Sequence, residues 1–213
     1  MTDCITKAEF AGMIAGAAAS IRANHAMLSE LDCAAGDGDH GATMLRAVEK
    51  LEQAFGPGGP EDLKTCLKDA GWSVLGVDGG ASSSLLGVFF GGMADAAGND
   101  ITGMFEAGLA ALRKQTKAQP GDKTMMDALV PAIQALRAAV DAGKSMAESL
   151  RDAAAAARTG AEATRNLTAR YGRAKFLGDK TRGHVDPGAA SISLIFEGFD
   201  QGFSNLKGEA GNA

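Results

Sequence analysis

Apolar side chains recur at three- and four-residue intervals along most of this chain. Ala and Leu dominate and β-branched runs are few, a pattern that predicts helices rather than strands. Eight segments carry it, at about 6–31, 42–55, 61–75, 80–97, 101–118, 123–142, 145–165 and 188–206, separated by Gly, Pro and Asp punctuation. The sequence GPGGP at 56–60 breaks the chain, and Pro60 suits the first turn of the helix that follows. In the fourth segment Leu85, Leu86, Val88, Phe89, Phe90 and Met93 wrap most of the helix surface, which marks a core helix. The alanine run 153–157 lies among Glu148, Arg151, Asp152 and Arg158 at helical spacing and reads as close helix packing. The expectation is an all-α chain forming one domain over 1–213, with a flexible tail at 207–213.

Composition narrows this picture. The 29 glycines are about twice the usual share of roughly 7%, many for a helical chain, and have to be accounted for position by position. A net charge of -5 describes an acidic protein with no general attraction to nucleic acid or anionic membranes, so any basic patch must be local. Cys4, Cys33 and Cys66 are odd in number and lack CxxC or Cys/His spacing, which points to reduced thiols and away from zinc. The apolar stretch from Phe10 to Ala19 lacks a basic start and membrane length and runs on into Arg22 and His25. No targeting or anchoring segment is expected, and the cytoplasm is the expected location. From Asn166 to Pro187 about twenty residues show no strong helical pattern, a length that in a compact domain usually signals function or disorder. Arg170, Arg173, Lys175, Lys180 and Arg182 make that connection basic, as a lid over a phosphate-bearing polyanion would be.

Candidate chemistry begins in LDCAAGDGDHG, where Asp32, Asp37 and Asp39 crowd a glycine-rich turn. Like charges so placed repel, and a hard cation with oxygen ligands relieves them; a solvated turn capping the helix near Ala42 is the alternative. GDGDHG satisfies GxGxxG in form only, because a helix precedes it and carboxylates interrupt it. An EF-hand starting at Asp37 fails at Ala42 and Val48, and Gly143, Lys144 and Ser145 lack the first glycine and the strand of a P-loop. In VDGGASSSLLG at 77–87, glycines and serines lead into the apolar helix, as either an anion site or ordinary capping by Ser82 or Ser83. Asp122 or Thr124 in PGDKTMMDAL can cap a helix, and His184 and Asp186 in GHVDPGA can order a turn before Pro187.

In this order and at these separations, LDCAAGDGDHGATM, GGASSSLLG, PGDKTMMDAL and GRAKFLGDKTRGHVDPGA resemble the nucleotide-binding L subunit of dihydroxyacetone kinases over nearly the whole chain. The resemblance implies an antiparallel barrel of eight helices with a nucleotide, ATP or ADP, at one end. It implies that Asp32, Asp37 and Asp39 hold two Mg²⁺ ions bridging the phosphates. His40, Gly41, Ala42 and Thr43 follow those ligands into the phosphate site, and Ala81 and Ser82 approach phosphate from the second helix start. Thr116 and Met125 would lie near the nucleoside, with Arg173, Asp186, Pro187 and Gly188 closing the other side. Ser83 and Ser84 stand where many relatives have Gly-Pro. Thr43 looks more like the ATP-using branch whereas GHVDPGA looks like the bacterial two-subunit branch, which leaves the phosphoryl donor open, and Lys180 replaces a frequent Arg with a point charge.

The resemblance also implies a partner, because the family's K subunit holds the ketone and transfer from Mg-nucleotide needs both. A phosphohistidine protein of a phosphotransferase system is a further candidate partner, if ADP stays bound and is rephosphorylated in place. A second copy of the chain is another. Neither nucleic acid nor membrane is expected as a partner. Two readings compete: a non-catalytic Mg-ADP module that regulates another protein, and the nucleotide domain of a fatty-acid-type kinase.

Overall fold

The computed structural model describes residues 4–34 and 36–210, apart from the side chains of 209 and 210. Eight α-helices follow in order: α1 (Lys7–Cys33), α2 (His40–Phe55), α3 (Leu63–Leu75), α4 (Ala81–Met93), α5 (Ile101–Gln115), α6 (Met126–Asp141), α7 (Met146–Ala163) and α8 (Pro187–Ala210). Each packs on its neighbours in sequence, and α8 returns to α1, so the helices close into an up-and-down ring. An isolated bridge between Cys4 and Asp100 is the only β pairing among the described residues, and none of their helices is long and apolar enough to cross a membrane.

The helix starts are specified locally where side chains supply acceptors. Thr6 and Glu9 form a reciprocal capping box on α1, as do Ser145 and Glu148 on α7. Asp62 accepts the Thr65 amide at the start of α3, and Asp100 accepts the Gly103 amide at the start of α5. Contacts gather the starts of α1, α3 and α5 at one end of the ring, with the end of α8, and the alternation of the helices puts the start of α7 there too. Ile5 donates its amide to Asn99, Lys7 reaches the Pro60 carbonyl, and Lys207 near the end of α8 pairs with Glu9. The starts of α2, α4, α6 and α8 therefore face the opposite end.

Phe10, Phe89, Phe90, Phe105, Phe196 and Phe199 fill the ring, with Phe105 edge-on to Phe196 at 5.6 Å and to Phe199 at 5.9 Å. The expected core helix α4 contributes Leu86, Phe89, Phe90 and Met93 to this interior. Glycines let the walls approach to backbone contact. A Cβ at Gly16 on α1 would land on the Gly198 carbonyl of α8, and one at Gly202 on the Gly12 carbonyl. Between α3 and α4, a Cβ at Gly71 would lie 2.7 Å from Gly91 Cα. Much of the glycine surplus is thus a packing requirement.

Three expectations change. The helix expected from 123 starts at Met126, because Lys123 holds a left-handed backbone (φ 61°) and Asp127 ties the preceding turn to α6. The connection 166–187 is ordered by a kinked 3₁₀ segment, Arg173–Thr181, and Thr181 buries its hydroxyl between the Ala169 amide and the Gly178 carbonyl. Helix α8 runs on to Ala210, into the expected tail, whose residues 211–213 lie outside the described residues.

Candidate functional site

The end of the ring opposite the capped starts holds a cavity of about 270 Å³. Its first wall is the turn from α1 into α2, where carboxylate oxygens of Asp32, Asp37 and Asp39 lie within 4.8 Å of one another. Backbone geometry holds Asp32 in place: its carbonyl accepts the Gly36 amide at 2.5 Å and its carboxylate accepts the His40 amide at 3.3 Å. A Cβ at position 36 would collide with that carboxylate, so Gly36 makes room for it. Three hard oxygen donors from a short turn fit a Mg²⁺ ion and leave part of its shell for other oxygens.

Across the cavity, Arg173 at the start of the 3₁₀ segment pairs with Asp37. This hydrogen-bonded ion pair holds the Asp37 carboxyl below the usual carboxylate range. His40 is buried beneath the turn. Burial pushes its pKa down, against the opposing pull of Asp32. Its Nε2 lies 3.3 Å from Ser191 Oγ, and Ser191 donates to the Gly188 carbonyl, so a neutral imidazole carrying the Nε2 proton satisfies the chain.

Two helix starts at this end leave amides open. Asp39 and Gly80, the residues preceding α2 and α4, make no capping hydrogen bond through a side chain. Among the described residues nothing accepts from the amides of Gly41 and Ala42 on α2, or of Ala81, Ser82 and Ser83 on α4. Free amides at the positive end of a helix dipole favour an anion. The other two starts are closed. At α6, Asp127 accepts the Gly121 and Thr124 amides, and Thr124 accepts that of Met126. At α8, Asp186 accepts the Ala189 amide at 2.8 Å.

The cavity brings together Asp32, Asp37, Asp39, His40 and Thr43 on the first wall, with Ala81 and Ser82 beside them. Thr116, Met125, Arg173, Asp186, Pro187 and Gly188 line the remainder. Gly41 and Ala42 do not line it. Gly41 is pressed against the His25 carbonyl of α1, where a Cβ has no room, and Ala42 is exposed; only their backbone amides are available to a ligand. Of the basic loop, Arg170 pairs with Asp122 and Lys180 is exposed, so Arg173 alone of its basic residues lines the cavity.

Lys123 is a cavity residue that sequence reasoning missed. It is 4% exposed, and its ammonium donates to the carbonyls of Thr164 at 2.7 Å and His184 at 2.5 Å, joining the turn before α6 to the segment before α8. Burial lowers its pKa. Burial also raises the Asp186 carboxyl to about 7, with the Ala189 amide pulling the other way. No local pattern announces such a lysine; an isolated charge after PGD was its only signal.

Residues 34–201 match the DAK2 domain family. The chain is 37% identical over 182 residues to the ADP-binding subunit DhaL of PEP-dependent dihydroxyacetone kinase 1 from Listeria innocua, covering 83% of this chain and 86% of that protein. It is 35% identical to the ADP-binding subunit DhaL of the PEP-dependent kinase from Escherichia coli, covering 80% and 84% respectively. The crystal structure of the dihydroxyacetone kinase from C. freundii in complex with AMP-PNP and Mg²⁺ superposes with a TM-score of 0.72 at 28% identity. The superposition covers 90% of this chain, which spans only 33% of that kinase. With that match over most of its length and relatives of comparable size, the chain belongs to the DAK2 domain family.

Proposed function

We propose that this chain is the nucleotide-binding subunit of a ketose kinase, carrying Mg-nucleotide to a substrate held by a separate K-type subunit. The observation that carries the reading is one cavity in which a three-carboxylate turn, two open helix starts and Arg173 converge. Asp32, Asp37 and Asp39 would hold Mg²⁺, two ions by family resemblance, which when bound would neutralise phosphate charge. Amides at the starts of α2 and α4 would bind phosphate oxygens, with Thr43 and Ser82 beside them. Arg173, released from Asp37, would add charge stabilisation as the phosphoryl group passes to the substrate hydroxyl. Thr116, Met125, Asp186, Pro187 and Gly188 would form the nucleoside wall, held rigid by Lys123. The hydroxyl proton would leave to a base outside this chain.

Relatives of comparable length are ADP-binding subunits of PEP- or PTS-dependent kinases. This supports a reading in which ADP stays bound and a phosphohistidine protein rephosphorylates it in place. The test is to purify the chain, extract bound nucleotide, and assay dihydroxyacetone phosphorylation with a K-type partner. Retained ADP, and turnover driven by a phosphohistidine donor without added ATP, are expected. Turnover on free ATP by a chain that retains no nucleotide would overturn the retained-ADP reading.

A further inference from the structure

The open start of α4 hangs on the connection 76–80, GVDGG, which is rich in glycine and largely exposed. Such a segment has many conformations to lose, and an anion site needs its amides at fixed distances. Within its own hairpin the connection is held by turn contacts: Val77 donates to the Val74 carbonyl, and Ser83 Oγ lies 3.2 Å from the Gly80 carbonyl. Among the described residues, one hydrogen bond reaches it from outside. Arg46 on α2 donates from Nη2 to the Asp78 carbonyl at 2.7 Å, and the same nitrogen lies 3.2 Å from Thr43 Oγ1.

Thr43 lines the cavity one turn before Arg46, and the connection rests directly on it. A Cβ at Gly79 would lie 2.6 Å from Thr43 Oγ1, so no side chain fits between them. Arg46 itself is exposed, does not line the cavity, and forms no ion pair among the described residues. Its guanidinium thus spends its short hydrogen bond on a backbone carbonyl two residues before the uncapped start of α4.

Resting on the reading of the cavity given above, we propose that Arg46 is a positioning residue for the phosphate site, clamping the α4 start against Thr43. The clamp sets the separation between the two sets of open amides without touching the ligand.

The experiment compares wild type, Arg46→Ala and Arg46→Lys as full-length, nucleotide-stripped chains. It measures Mg-ADP affinity by calorimetry, amide hydrogen exchange and melting midpoint. The alanine variant is expected to raise the Mg-ADP Kd about tenfold, to lessen the protection from exchange that added Mg-ADP gives the amides of 81–83, and to keep the wild-type midpoint. Lysine, able to keep the Asp78 bond, is expected to return the Kd to within about threefold of wild type. Wild-type Kd in the alanine variant overturns the proposal alone, as does weakened binding that tracks a lower midpoint and faster exchange throughout. Failure of the wild-type chain to take up Mg-ADP overturns the reading of the cavity and the proposal with it.

Discussion

At the far end of the barrel, Thr6, Asp62, Asp100 and Ser145 each close the start of a helix, whereas at the cavity end the first turns of α2 and α4 hold amides, those of Gly41, Ala42 and Ala81 to Ser83, that nothing among the described residues accepts. A side-chain cap contributes about 1 kcal/mol. Forgoing it at two helices whose starts meet one cavity, beside three carboxylates, leaves those donors open to the phosphate proposed above. The cavity end is itself divided: α6 and α8, on the proposed nucleoside wall, are closed by Asp127, Thr124 and Asp186. Stability is concentrated where the chain satisfies itself, and binding where it does not.

The largest expected effect tests the open side. Asp37→Asn should lower phosphoryl transfer with a K-type partner by about 100-fold or more while leaving the melting midpoint nearly unchanged, because Asp37 and its partner Arg173 are both about half exposed, where an ion pair contributes little to folding. A loss below about tenfold would remove Asp37 from the metal site.

An intermediate effect tests the closed side at the same end. The Asp186 carboxyl titrates near 7 in the folded chain, above its unfolded value, so its contribution favours folding below about pH 4 and is lost as pH rises toward 7. In chelator, folding stability of the wild type relative to Asp186→Asn should fall by about 2 kcal/mol between pH 5 and 7.5. Asp37, with its lowered pKa, acts in the opposite sense, and only at more acid pH. Denaturant unfolding of both proteins across that window reads the difference, and parallel curves would place the Asp186 carboxyl in a solvated setting.

The smallest effect tests the far end. Ser145→Ala removes the hydroxyl that accepts the Glu148 amide, leaving the backbone amide of residue 145 donating to Glu148, and should cost about 1 kcal/mol in denaturant unfolding, with nucleotide affinity unchanged. A change in Mg-ADP affinity would mean that the two ends are coupled through the ring.

Helix order and the acidic turn were legible because both are short-range. Periodicity reports a face, and three carboxylates within eight residues must meet wherever the turn goes. Lys123 was not legible, since its role depends on carbonyls at Thr164 and His184 that no local pattern places beside it. The order of the connection 166–187 was missed for a similar reason, as polar contacts of Thr181 and Arg170, and not hydrophobic spacing, hold it. Gly41 was readable as a glycine in the motif, but its contact with the His25 carbonyl was not.

By itself, then, the sequence determined the helices and the donor chemistry of the acidic turn, both of which follow from spacing along one stretch of chain, while their antiparallel closure was what the family resemblance implied. Tertiary structure decided which helix starts stay open, and it brought Asp37, Ser82 and Arg173 to one cavity. An amide is free or satisfied according to what packing sets against it, and those neighbours come from distant parts of the chain.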